Sequence, residues 1–436
     1  MALHTSTGNF LNLLNSSHQH FDLTDHSHQR RLLFLADELL KLTSVSVAQL
    51  QQAATVHNAP IEFRLAVKLV ESRRMLTRLT EPVNVAVVYA MWGEHNRLLP
   101  KSATNLNGED ALRVKIEQLQ WITKGTNVNW QLIAVDDGCP HGSAQLAREI
   151  LQEYPSSVSV RVEILELAAA LPAQSGPLRN LESADDSRKG GAIILGCERA
   201  LERHADAVIY TDADSSVHLG QIGLLLAPYV HEGAEVVLGN RKDPLSILVK
   251  QEARWGVGIK SLRHMQRMIG HAIFEQGIKD TQAAFKLYSR KALESILQAP
   301  TVYDFSFDTD WIFAAMAEEY TFTTVPFAFI DSAAESASIV QGPMTTWYVL
   351  LDGLIKSAQA RGVEYNQEMA AVFYSEIESH HDLELIIDVL PPELAHVDDK
   401  ALGDASVMSP QAMRNWILSA KALEQKLEQM SATLPS

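Results

Sequence analysis

The chain has 436 residues, with 37 Lys and Arg against 53 Asp and Glu, a formal net charge of −16. At 46% hydrophobic and 21% charged it has globular composition, with length for two or three structural units at roughly 150 residues each. The acidic balance argues against a general binder of nucleic acid or anionic membrane, though not against a local basic pocket, and two cysteines, Cys139 and Cys197, exclude a disulfide framework or a cysteine-rich zinc site.

The first twenty residues lack a basic stretch and a long apolar run, so they do not read as a secretory signal. No segment reaches the ~18–20 apolar residues of a membrane span, and the charge-free run Ser336–Leu351 reads as a loop entering a helix. A soluble, cytoplasmic protein without a transmembrane segment is expected.

Residues 1–28 are polar and carry His4, His18, His20, His26 and His28; a poorly ordered tail is expected rather than a metal tract. A helical extension over 29–81 follows. Leu32, Leu35, Leu39 and Leu42 recur at helical spacing, Ser46 with Gln49 forms a capping box, and Pro60 opens a third helix bearing Ile61, Leu65 and Leu69. From Pro82 strands and helices alternate. Strands are predicted at Val83–Tyr89, Trp130–Val135, Val158–Leu165, Ala207–Tyr210 and Glu235–Leu238, and helices at Glu109–Thr123, Ser143–Tyr154, Gly190–Arg203 and Ile222–Tyr229. This rhythm predicts an α/β fold with a mainly parallel sheet, whose ligands bind beyond the carboxyl ends of the strands. Residues 357–436 read as a C-terminal helical region. Ser409-Pro410 opens its last helix, where Met413, Trp416, Ala420, Leu423, Leu427 and Met430 form an apolar stripe suited to core packing or a dimer seam.

Two acidic clusters stand at predicted strand ends. Asp212-Ala213-Asp214 can grip a divalent cation, because hard ions such as Mg2+ and Mn2+ take oxygen ligands and bridge phosphate oxygens. Displacement of a nucleoside diphosphate needs such charge neutralisation. Asp136-Asp137-Gly138 can accept from a nucleobase N–H or form an ordinary Asp-Gly turn. Arg188-Lys189-Gly190-Gly191 precedes a helix and suits a diphosphate, or is a solvated loop.

These segments appear in a recognisable order: Val85–His95, Ile133–Ser143, Arg188–Gly196, Val208–Ser216, Val236–Arg241, Ile278–Leu293, Phe305–Ala315 and Thr323–Asp331. The order resembles glycosyltransferase family 2, nearest the branch of dolichyl-phosphate mannosyl- and glucosyltransferases, and runs from about Pro82 to Lys356. The block Asp280-Thr281-Gln282-Ala283-Ala284-Phe285-Lys286-Leu287-Tyr288 is similar to that branch's Asp-Thr-Gln-Cys-Gly-Phe-Lys-Leu-Phe. The resemblance implies a GT-A fold over 82–356, a UDP- or GDP-hexose donor, Mg2+ or Mn2+, and inversion by single displacement. It implies that Glu94, Asp136 and Asp137 serve the nucleoside end and that Lys189 lies near the diphosphate. Asp212 would contact ribose or sugar and help place the metal, with Asp214 as direct ligand. Arg241 would bind phosphate, Asp280 and Gln282 would line the sugar site, and Asp308 or Asp310 would be the acceptor-side carboxylate or else a buried anchor.

The chain departs from the family pattern in places. Ala90-Met91-Trp92-Gly93-Glu94 replaces Pro-x-Tyr-Asn-Glu, Cys139 follows Asp137-Gly138 where the family has Ser, and Ser215-Ser216 stands where a Gln often follows Asp-x-Asp. The segment Asn96–Asp110 is longer than expected, and a basic tract carries Arg254, Lys260, Arg263 and Arg267. The acceptor is expected to be water-soluble, with a polyprenyl phosphate as the alternative. A nucleotidyltransferase would want a Gly-rich basic loop after the first strand, and a degenerate nucleotide-sugar sensor would not need the acidic pair. The terminal helices are the expected place for self-association.

Overall fold

Buried β-branched runs set the centre of the fold. In β1 (Val83–Met91) the residues from Val85 to Tyr89 are all buried, as an interior strand covered on both faces requires. The computed structural model describes residues 10–250, 258–331 and 343–432. Its strands β1, β2 (Val128–Asp136), β3 (Val162–Glu166), β4 (Ala207–Thr211), β5 (Val236–Gly239), β7 (Phe285–Ser289) and β8 (Phe322–Val325) form one sheet in the order β3-β2-β1-β4-β7-β5-β8; β6 (Ile247–Val249) pairs with β9 (Ala328–Ile330). All ladders are parallel except those of β7, which runs antiparallel to both β4 and β5. The α/β class and the mostly parallel sheet are as the sequence predicts.

One face of β1 (Val85, Val87, Tyr89, Met91) joins a core with Leu112, Ile116 and Leu119 from the helix Ala111–Thr123. Each such buried aliphatic side chain contributes roughly 1.5–3 kcal/mol. Against the sheet lies the helix Gly190–Glu202, where a Cβ on Gly196 would sit 2.4 Å from Val88 Cγ1; the missing side chain lets helix and strand approach.

The described residues divide into two units, 10–250 with 282–299 and 320–331, and 258–281 with 300–319 and 343–432. The division runs elsewhere than at 28/29, 81/82 and 356/357. Helices His26–Lys41, Val47–Val56 and Ile61–Leu76 share the unit of the sheet, packing with Ile247, Ala328 and Ile330 of the small β6–β9 pair. The capping box of Ser46 and Gln49 is present.

The expected tail is corrected over residues 10–28: Phe10, Leu14, Phe21 and Leu23 are buried in the core of the N-terminal helices, with Phe10 edge-on to Phe63. Four apolar anchors suffice to order a segment that is otherwise polar. His4 lies outside the described residues. Among the described residues the only group of three or more His, Cys, Asp or Glu side chains with converging ligand atoms is His380, His381 and Glu384.

The third strand starts at Val162 rather than Val158, because Pro155 opens a short helix at Ser156–Ser159. In the second unit the last helix runs Pro410–Ala432 and buries Met413 and Ile417, while Leu423 is exposed; the face is narrower than the predicted stripe. The side chains of Leu427 and Met430, residues 336–342 and Arg254 lie outside the described residues. No helix among the described residues is long and apolar enough to cross a membrane.

Candidate active site at the carboxyl edge of the sheet

The chain builds β1, β2 and β3 outward on one side, then returns to place β4 on the other side of β1. The gap beyond the ends of β1 and β4 is therefore a topological switch point, where open α/β sheets hold ligands. β1 delivers Trp92-Gly93-Glu94 there, β2 delivers Asp136-Asp137, and β4 delivers Asp212-Ala213-Asp214. Because β7 is antiparallel, its beginning meets the same edge: Phe285 pairs with Thr211, so Gln282 precedes the strand beside the acidic pair.

Asp212 and Asp214 are half-buried while Ala213 between them is buried, so both carboxylates face outward from the strand end. The Lys189 ammonium is ion-paired with Asp212 Oδ1. Burial disfavours the charged form of Asp212, but the cations Lys189, Arg241 and Lys115 outweigh it and hold the carboxyl below the usual aspartate value. One Asp214 oxygen, Oδ1, accepts the Ser216 N–H at 3.0 Å.

Lys189 stands just before the helix Gly190–Glu202 with φ +82°, a conformation L residues rarely adopt. Its N–H donates to Asp137 Oδ2 at 2.6 Å, so the second strand's carboxylate locks the lysine backbone while its side chain reaches the fourth strand. Burial pushes Asp137 up to about 6 despite the Ser187 and Lys189 donors, and Asp136 adds to the rise. Asp136 caps its own loop: Oδ1 accepts from Cys139 N–H at 2.7 Å and Oδ2 from Ala144 N–H at 3.1 Å. Gly138 completes that turn at φ +75°, where a Cβ would also strike Ala184 Cβ at 2.8 Å. Cys139 is a bridge between loops, its sulfur accepting from Gly93 N–H at 3.2 Å and lying 3.2 Å from Ser143 Oγ.

Glu94 is buried and paired with Arg97 at 3.0 Å. Burial raises it to about 7; the Arg97 charge opposes this, and Asp214 and Glu109 reinforce it. Arg241 follows β5 and stacks on Phe329 with its guanidinium 5.2 Å from the ring centroid.

The remaining expected residues belong to the second unit. Asp280 and Asp308 are buried there. Asp310 is fully buried in the helix Phe307–Ala317, and its carboxylate is filled. Arg361 donates to both oxygens at 3.0 Å, and the Thr301 hydroxyl and N–H donate at 2.6 and 3.1 Å. Four donors on one buried carboxylate make it an anchor between helices, the bland alternative weighed from the sequence. In the basic tract, Arg263 and Arg267 face Asp399.

Residues 105–297 match the family model described as Glycosyl transferase family 2. The chain carries a glycosyltransferase family 2 domain. A polyprenol monophosphomannose synthase of Mycolicibacterium smegmatis is 25% identical over 201 residues, which is 46% of this chain and 66% of that protein. A dolichyl-phosphate beta-glucosyltransferase of Dictyostelium discoideum is 24% identical over 217 residues, 48% of this chain and 56% of that protein. The match thus covers less than two thirds of either curated relative. Among solved structures, glucosyl-3-phosphoglycerate synthase of Mycobacterium tuberculosis aligns over 68% of this chain and 85% of its own, with 14% identity and a TM-score of 0.43.

Sequence reasoning missed three charged residues of this site. Arg97, Glu109 and Lys115 are all buried beneath the acidic pair. Lys115 donates to the Asp214 carbonyl at 2.6 Å, and Glu109 accepts the Ser215 N–H at 2.7 Å. The available signal was the long segment Asn96–Asp110, which supplies two of the three, and a lysine on the apolar face of a helix.

Proposed function

We propose that the protein transfers a hexose from a UDP- or GDP-sugar to an acceptor with inversion at the anomeric carbon, using Mg2+ or Mn2+. The observation that supports this most is the grouping at the β1–β4 switch point: outward-facing Asp212 and Asp214, with Lys189 tied to both Asp137 and Asp212. The donor set fits a hard divalent cation, since it offers carboxylate oxygens and no sulfur or imidazole. Asp214 and Asp212 would hold the ion, which when bound neutralises charge building on the leaving diphosphate.

Lys189 is the side chain that changes partner in this reading. It sits on Asp212 in the free protein and is placed to meet the diphosphate, releasing Asp212 for ion and sugar. Arg241 supplies a second cation from β5. Gln282 enters from β7 on the sugar side, with Asp280 two residues before it. The loops after β1 and β2 would receive the nucleoside, with Glu94, Asp136 and Asp137 setting their shape. The resemblance makes Asp308 or Asp310 the carboxylate that would accept the proton of a hydroxyl acceptor, and Asp310 already holds four donors. A phosphate acceptor is already ionised and needs no such base.

We favour a water-soluble acceptor in the cytoplasm. The second reading, a polyprenyl phosphate taken at a membrane surface, is favoured by the names of the curated relatives. A panel of UDP- and GDP-hexoses with Mn2+ tests both, run with soluble hydroxyl and phosphate acceptors and with polyprenyl phosphate in vesicles. Metal-dependent release of UDP or GDP is expected with one donor. If no donor turns over while a nucleotide still raises the melting temperature, the protein is a nucleotide-sugar sensor.

A further inference from the structure

We propose that Lys115, Arg97 and Glu109 are positioning residues that fix the peptide plane between Asp214 and Ser215, and with it the aim of the metal-binding carboxylate. The inference rests on the reading of Asp214 as a metal ligand. The carbonyl of Asp214 and the N–H of Ser215 belong to one peptide group. Lys115 Nζ donates to that carbonyl at 2.6 Å, and Glu109 Oε2 accepts from that N–H at 2.7 Å. The group is held at both ends by side chains of opposite charge, each 1% exposed.

Neither clamp arm is loose. Lys115 rises from the helix Ala111–Thr123 and lies over the Tyr89 ring, 5.4 Å from its centroid. Glu109 Oε1 is 3.2 Å from Arg97 Nε, and Arg97 turns Nη1 to Glu94 at 3.0 Å. The row Glu94–Arg97–Glu109 therefore runs from the end of β1 to the loop after β4. Buried ionic groups are a poor source of net stability, because desolvation offsets their attraction. Fixing a loop is what such a row does well. Held this way, the Asp214 Cα–Cβ direction is set before any ion arrives, as hydrogen bonds behind metal ligands commonly do.

The test compares Lys115→Met, Glu109→Ala and Glu109→Gln with the natural protein. Mn2+ binding is followed by electron paramagnetic resonance with UDP or GDP present, and thermal unfolding is followed without metal. Removing a cation beside carboxylates would by charge alone tighten Mn2+. Positioning instead makes Lys115→Met bind it about ten- to a hundredfold more weakly. Glu109→Ala weakens binding by a similar factor, whereas Glu109→Gln, which still offers an oxygen to the Ser215 N–H, stays within a few-fold of the natural protein. Unchanged or tighter Mn2+ binding in a folded Lys115→Met overturns the proposal. So does indistinguishable binding by Glu109→Ala and Glu109→Gln, and that pair decides the matter if Lys115→Met does not fold. If the natural protein binds no Mn2+ with either nucleotide, the proposed function itself fails and takes this inference with it.

Discussion

Lys189 joins an ion pair to an unfavourable backbone, and the two can be separated by replacing it with Ala and with Gly. The pair with Asp212 is partly exposed, 22% and 36% for the two side chains, so screening leaves it about 0–1 kcal/mol of stability. The backbone at φ +82° costs an L residue of order 1–3 kcal/mol, which glycine does not incur. Glycine gives back about 0.5–1 kcal/mol through the greater freedom of its unfolded chain. Lys189→Ala should therefore lose about 0–1 kcal/mol, and Lys189→Gly should be about 1 kcal/mol more stable than Lys189→Ala, a rise in melting temperature of roughly 2–4 °C for a unit of this size. Both lose the ammonium that would meet the diphosphate. A hydrogen bond to a charged group is worth about 1.5–3 kcal/mol, so kcat/KM for the donor should fall roughly 10- to 150-fold in both. Differential scanning fluorimetry and nucleotide-release kinetics read the two effects separately. Equal melting temperatures for the Ala and Gly variants would refute the strain argument, and an unchanged kcat/KM would refute the assignment to the donor.

Three further outcomes are expected. Asp214→Ala should abolish both turnover and metal-dependent donor binding in calorimetry, and full activity would sink the metal assignment. Arg361→Leu leaves the buried Asp310 carboxylate with Thr301 alone and should cost about 3–5 kcal/mol in urea unfolding followed by the fluorescence of a tryptophan of that unit; a loss under about 1 kcal/mol would speak against the anchor. The third concerns pH. Glu94 rests at about 7 when folded, against 4.5 ordinarily, so the folded state holds the proton longer. Stability should then fall as pH rises from about 4.5 through 7. Melting temperatures of Glu94→Gln across that window should drop less than those of the natural protein, and parallel curves would contradict the raised value.

Much of the edge was legible because its strands are interior. Residues 85–89 and 207–210 are runs of apolar side chains, and the second ends at the polar cluster Thr211-Asp212-Ala213-Asp214. What escaped was polarity inside the core. β7 reads Phe-Lys-Leu-Tyr-Ser, and its central-looking charge argues against a buried strand. Yet Lys286 is fully buried, donating to the Tyr210 hydroxyl at 2.9 Å and to the Ala283 carbonyl at 2.5 Å. Lys115 and Glu109 were hidden the same way, since a charge on a helix or loop reads as solvated until its partner across the fold is known. Asp310 shows the converse: its type and position suit catalysis, and only the four donors around it show that its capacity is spent.

The reversed direction of β7 also bears on how the acidic edge is assembled. The chain leaves the sheet at Gly239, on the edge where the acidic pair opens, and re-enters it at Phe285 on that same edge, since Leu238 pairs with Lys286. The excursion between them thus starts and finishes where it began, like a loop of thread anchored by one stitch. That interval is not blank: it carries Arg241, the strand β6 whose Ile247 packs against the N-terminal helices, and the pair Asp280 and Gln282 just before its return. Where it returns is fixed by the ladder itself, Val236 with Tyr288, Val237 with Leu287 and Leu238 with Lys286, so that the block beginning at Asp280 is delivered to the edge that holds the acidic pair by strand pairing and not by the path taken to reach it.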